Sequence, residues 1–212
     1  MYILGRMRER KGETRVQDKI NAIMASIPIP AKEQRVVIGI DGLSRSGKTT
    51  LVKKIQACLH KKGLALKTLH IDDYIVERNR RYHTGYEEWH EYYHLQWDVQ
   101  SLQETLFKKL KHATALNLLK YDSESDNHHI ETISLLHTDL IIIEGVFLQR
   151  KEWRNSFDFI LYLDCPKETR FARETKETQQ NLDIFKNRYW KAEDYYVETE
   201  CPKERANLVF EV

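Results

Sequence analysis

Cysteine is scarce in this chain. Cys58, Cys165 and Cys201 are odd in number and unequally spaced. They form neither a disulfide framework nor a metal pattern, and they suit a reducing compartment. Long apolar runs are missing as well. The strongest, Leu140 to Ile143 and Phe159 to Leu163, have the length of strands and fall far short of a membrane span. Met1 to Glu13 alternates basic residues with few apolar ones and lacks the apolar core of a secretion signal, so a cytoplasmic location is expected. Neither sign of charge dominates. With 34 basic and 32 acidic residues, the formal net charge of +2 leaves no footprint for nucleic acid or membrane. Repeats and low-complexity tracts are absent too. The 212 residues suffice for one domain that buries its own core without disulfide staples.

Against this plain background one stretch stands out. Gly42-Leu43-Ser44-Arg45-Ser46-Gly47-Lys48-Thr49 fits G-x-x-x-x-G-K-[ST], the loop that wraps nucleotide phosphates. Its glycines let the backbone turn tightly and bring N–H groups close to phosphate oxygens. Lys48 puts a cation on the outer phosphates, and the Thr49 hydroxyl suits Mg²⁺. Arg35 to Asp41 reads as a buried strand entering the loop. Thr50 to Leu59 reads as a helix leaving it, with Leu51, Ile55 and Leu59 on one face and Gly63 as its stop. That helix aims its N-terminus at the anion.

The rest of the chain alternates strands and helices, which predicts a three-layer α/β/α domain around a mostly parallel sheet. Residues 14–26 read as a helix with Val16, Ile20 and Ile23 on one face, ended by Pro28 and Pro30. Residues 1–34 therefore form an accessory helix and linker, and residues 35–212 the main domain. Strands are predicted at 65–71, 139–144, 157–164 and 207–212, and helices at 99–111 and 183–199. Another helix is opened by Pro166. Residues 115–121 and 129–136 read as a hairpin around a polar loop from Asp122 to His128.

In open parallel sheets, ligands lie beyond the carboxyl ends of the strands. Three predicted strands end there in polar residues: the loop itself, Asp72-Asp73, and Glu144-Gly145. Glu144 closes an apolar strand and is placed to organise Mg²⁺ directly or through water, since that ion keeps waters and takes few carboxylates. The alternative is a solvated strand end. Asp72, on the strand expected beside the loop, is the candidate base for transfer to a hydroxyl. Asp73 shares that role, binds metal through water, or caps a turn; a turn role for both acids is the plainer alternative. Arg170 and Arg173, three apart, share a helix face suited to closing over phosphates, with Arg188 as a third candidate. Charged helices of this kind also serve as solvated surface. Aromatic residues from Tyr82 to Trp97 suit either a substrate wall or a core. Asp98 suits either a sugar hydroxyl or a helix cap. His83, His90, His94, His128 and His129 lack ligand spacing and read as surface or hairpin residues.

Taken in order, these features resemble the uridine kinase and phosphoribulokinase family and the related nicotinamide riboside kinases. The resemblance spans about residues 35–211. It rests on the loop through Thr50, Asp72-Asp73-Tyr74, Lys120-Tyr121-Asp122, Ile143-Glu144-Gly145, Arg170 with Arg173, and Arg188-Tyr189, Tyr195, Pro202 and Ala206 to Val209. It implies a P-loop NTPase fold and an ATP- and Mg²⁺-dependent kinase acting on a hydroxyl of a small, nucleoside-like metabolite. Asp72 would be the catalytic base, and Gly42, Ser44 to Thr50 would hold ATP. Thr49 and Glu144 would organise the metal, and Arg170 and Arg173 would begin a lid within 166–200. The acceptor would be met by Asp72, Asp73, Tyr74, Trp97, Asp98, Tyr121 and Arg188, with 115–136 as the substrate hairpin. Family members are often oligomeric, and no interface is legible here. Departures fall on substrate-facing and lid elements. Tyr92 to Asp98 replaces the Phe-Asp-His-Pro segment of uridine kinases, Arg173-Glu174 replaces Arg-Asp, and the following Arg-Gly-Arg is absent. A polynucleotide-end kinase and a non-catalytic ATP-dependent switch remain the rival expectations.

Overall fold

A computed structural model describes residues 17–31 and 34–212. Residues 14–16 of the expected first helix, Val16 among them, lie outside the described residues, as do residues 1–13. Residues 17–26 are helical (α1), and Ile20, Ile23, Met24 and Ile27 are buried.

Five strands form one parallel sheet. In chain order they are β1 (Val36–Gly42), β2 (Leu66–His70), β5 (Leu140–Gly145), β6 (Phe159–Asp164) and β7 (Leu208–Glu211). Spatially they run β2-β5-β1-β6-β7, and every neighbouring pair is parallel. Strands β3 (Ala115–Asp122) and β4 (Asn127–Ser134) form the separate antiparallel hairpin, in the register Leu118↔Glu131 and Tyr121↔His128.

Strand alternation divides the core. Ile38, Ile40, Leu140 and Ile142 face α1 and α2 (Lys48–Lys61), whose Leu51, Ile55 and Leu59 are buried against them. Val37, Leu69, Ile141 and Ile143 face the other way. They pack with Trp97, Leu102, Leu106, Phe147 and Tyr196, and with the inner face of the hairpin. The sheet is thus covered on both sides, as parallel sheets require.

Two expectations change. Strand β2 is an edge strand, and β5 lies between it and β1. Asp72 therefore does not sit on the strand beside the loop; Glu144 does. The two long helices are also irregular. The expected helix 99–111 is α3 (Val99–Thr105) followed by a tight turn at Phe107–Lys109. The expected helix 183–199 is present from Leu182 to Glu200, with a π-helical turn (Phe185–Tyr189) between its α-helical parts, Leu182–Ile184 and Trp190–Glu200. A second π-turn spans Glu91–Leu95. Such turns insert a residue into the helical repeat and so defeat a reading by period.

Candidate active site

The site grows from the C-terminal edge of the sheet. Gly47 has φ 101°, a left-handed conformation that costs glycine little, and it opens α2 with no acid in the first turn. The helix N-terminus therefore faces the cleft with positive polarity. Lys48 is nearly buried, and its Nζ donates to the carbonyls of Gly42 and Leu43, both at 3.0 Å. Burial lowers its pKa, while Glu144 and Asp72 pull the other way.

Glu144 is the hub of the opposite wall. Its Oε1 accepts from Thr49 Oγ1 at 2.8 Å and from His70 Nδ1 at 2.6 Å. His70 and Glu144 are register partners on β2 and β5, which is why their side chains meet. Burial alone would raise the Glu144 carboxyl, but the bonds from His70 and Thr49 outweigh it and hold the pKa below the ordinary value. The Glu144 bond in turn raises the His70 pKa. Glu144 Oε2 is buried without a hydrogen-bond partner among the described residues. An ionised oxygen of this kind beside a threonine hydroxyl fits one Mg²⁺ that takes its remaining ligands from water and phosphate. Gly145 follows because nothing larger fits: a Cβ there would stand 2.1 Å from Ile71 Cγ2.

Asp72 lies in a short turn, Ile71–Tyr74, just past β2, and lines the same cleft. Enclosure there raises its pKa, Lys48 lowers it, and Glu144 and Asp73 raise it further. The cleft holds about 620 Å³, within the range of small-molecule sites. It brings together Ser44, Arg45, Gly47, Lys48, Thr49, Thr50, Asp72, Glu144, Arg170 and Arg173. Gly42 and Ser46 support the loop from behind. Ser46 is fully buried, and its Oγ has no partner among the described residues.

Several expected residues lie elsewhere. Trp97 is 2% exposed and donates its Nε1 to Ile71 O at 2.9 Å, so it is core, not substrate wall. Asp98 caps α3 by accepting from Ser101 N at 3.0 Å. Asp73 turns to Lys120 on the hairpin at 3.2 Å, and Tyr74 is buried in the core beside it. The Tyr121 hydroxyl donates to Asp126 within the hairpin at 2.8 Å. Arg188 is buried and paired with Glu91 at 3.2 Å, with its guanidinium over the Tyr82 ring. None of these six lines the cleft. His128 lies on the hairpin, one of the two places expected for it, and bridges that hairpin to Glu77 and to the Ile75 carbonyl.

Arg170 and Arg173 do not share a face, because the helix opened by Pro166 (Lys167–Phe171) ends between them. Arg170 is buried and grips Glu193, Ser44 O and Cys165 O. Arg173 is exposed and donates to Arg45 O at 2.8 Å. Tyr92, from the aromatic segment, and Tyr189 also line the cleft, as do Phe171, Trp190 and Glu193, which sequence reasoning missed. Burial raises the Tyr92 pKa well above its ordinary value and keeps the hydroxyl a donor. Only His70 carried a usable signal, two residues before Asp72 on the same strand end.

A phosphate loop between the first strand and its helix, with acids converging from two neighbouring strands, defines a P-loop kinase. The chain belongs to the phosphoribulokinase/uridine kinase family, whose pattern matches residues 37–210. It is similar to the uridine kinase of Staphylococcus aureus (strain JH9), with 34% identity over 163 residues that cover 72% of this chain and 75% of that one. The uridine kinase of Borrelia duttonii (strain Ly) is 28% identical over 186 residues, covering 82% and 84%. A solved structure called "a Possible Uridine Kinase from Bacillus stearothermophilus" superposes with a TM-score of 0.81 at 50% identity, over 92% of this chain and 99% of that one. No helix among the described residues is long and apolar enough to cross a membrane.

Proposed function

We propose that this family member transfers the γ-phosphoryl group of ATP to a hydroxyl of a nucleoside or nucleoside-like riboside. The observation that carries the reading is the shared cleft: Asp72 and Glu144 face the same space as Lys48 and Thr49. In the reaction the acceptor oxygen forms a bond to the γ-phosphorus, the bond to the ADP oxygen breaks, and the acceptor proton passes to Asp72. Lys48 and amides of the Arg45 to Thr50 stretch hold the phosphates, and Arg173 screens the moving charge once it leaves the Arg45 carbonyl. Thr49 and Glu144 would hold Mg²⁺, which would neutralise phosphate charge when bound. Tyr92 and Tyr189, rather than Trp97 and Tyr121, present aromatic surface and hydroxyls to the acceptor.

The test is ADP release by purified protein with ATP and Mg²⁺ across nucleosides, other ribosides, pantothenate, sugar phosphates and oligonucleotide ends. A nucleoside or riboside that accelerates ADP release and appears phosphorylated in equal amount is the expected result. Slow hydrolysis that no hydroxyl compound accelerates would sink the reading in favour of a switch. Acceleration confined to oligonucleotides would reassign the acceptor.

A further inference from the structure

Glu193 is out of place on electrostatic grounds. It lines a cleft suited to polyphosphate, is 1% exposed, and carries the charge that a phosphate would repel. Its contacts explain why it is there. Its Oε1 accepts the backbone N–H of Ser44, inside the phosphate loop, at 3.0 Å. Arg170 Nη1 donates to both Glu193 oxygens at 2.9 Å and to the Ser44 carbonyl at 3.1 Å. Both peptide groups flanking Ser44 are therefore held, one by the acid and one by its partner.

The next residue needs that support. Arg45 has φ 60°, a left-handed conformation unfavourable for a residue with a Cβ. Arg173 holds its carbonyl at 2.8 Å, and Glu174 holds its side chain at 2.9 Å. The tip of the loop is clamped by residues from both ends of the 166–200 region.

We infer that Glu193 is a positioning residue of the phosphate loop: with Arg170 it orients the Ser44 peptides and keeps the strained tip in the shape that receives a nucleoside polyphosphate. This rests on the loop's binding nucleotide, as proposed above. Position and charge predict opposite signs. Removing the negative charge alone tightens polyphosphate binding, whereas losing the clamp weakens it.

ADP affinity of the full chain, measured by titration calorimetry, separates the two. Glu193→Gln is expected to bind ADP about tenfold more weakly despite losing a negative charge. Glu193→Asp keeps the charge but falls one methylene short of Ser44, and it is also expected to weaken binding by about tenfold. A melting curve verifies that each variant is folded, and either variant alone suffices for the test. Affinity that is unchanged or higher in a folded variant overturns the inference. If the wild-type protein itself binds no ADP, the nucleotide reading falls first, and that outcome is distinct from a failure confined to Glu193.

Discussion

Asp72→Asn isolates proton acceptance from everything else in the cleft. Asparagine has the same shape and still orients a hydroxyl through its amide oxygen, but it accepts no proton at neutral pH. General bases contribute on the order of 10²–10⁴ in rate, or about 3–5 kcal/mol of barrier. The loss should appear in kcat. Asp72 is one of several acids acting on Lys48, so removing it still leaves Glu144, Asp41 and Glu193 favouring the charged lysine. ADP affinity is therefore expected to hold or improve. The pH profile supplies a second readout. A base works only when ionised, so activity falls as pH drops through its pKa. Burial in the cleft and the neighbouring acids raise that pKa above the ordinary 3.8. The acid limb of kcat/KM should lie correspondingly higher in the wild type and disappear in Asp72→Asn. Steady-state ADP release with the accepted substrate, run from acid to neutral pH alongside calorimetry, measures both. A variant within tenfold of wild-type kcat, with its acid limb unchanged, would refute the assignment.

Three further outcomes are expected. Gly145→Ala forces a methyl against Ile71 Cγ2, at a cost of about 1–3 kcal/mol. The melting temperature should fall by several degrees, and because Ile71 precedes Asp72, kcat should fall too; unchanged melting would contradict the packing. Trp97→Phe leaves the Ile71 carbonyl without its donor and should destabilise by about 1–3 kcal/mol with the acceptor KM unchanged. A raised KM without loss of stability would restore Trp97 to the substrate wall. For His70→Ala, the sign of the pH dependence follows from two opposite shifts. The raised His70 pKa gives a contribution fully present below its ordinary 6.5 and lost as pH rises through the folded value. The lowered Glu144 pKa gives one present above its ordinary 4.5 and lost as pH falls through the folded value. The melting difference between wild type and His70→Ala, measured without metal, should peak between these two ordinary values. A difference that grows on the alkaline side would reject the pair.

How much was legible follows from how far apart the interacting residues are. The phosphate loop, its strand and its helix are contiguous, so glycine placement and apolar period reveal them directly. Strands β5 and β6 are short apolar runs, and Glu144 ends one of them. The aromatic segment is different. Tyr92 and Trp97 have the same composition of neighbours, yet one lines the cleft and the other is sealed in the core by its bond to Ile71. Arg170 and Arg173 look equivalent at their spacing, but the helix ends between them and sends one inward and the other to solvent.

Local chemistry in the chain thus determined the nucleotide-binding loop, the alternating α/β architecture, and the acids at strand ends. Each of these depends on residues adjacent in the chain or on one element's periodicity. Tertiary structure decided which strands are neighbours, and so which acid stands beside the loop. It also decided that Glu193, 149 positions from Ser44, completes the cradle, while Arg188 pairs with Glu91 outside it. The physical reason is that a charge buried far along the chain is stable only with the partner that folding brings to it, and no local pattern encodes that pairing.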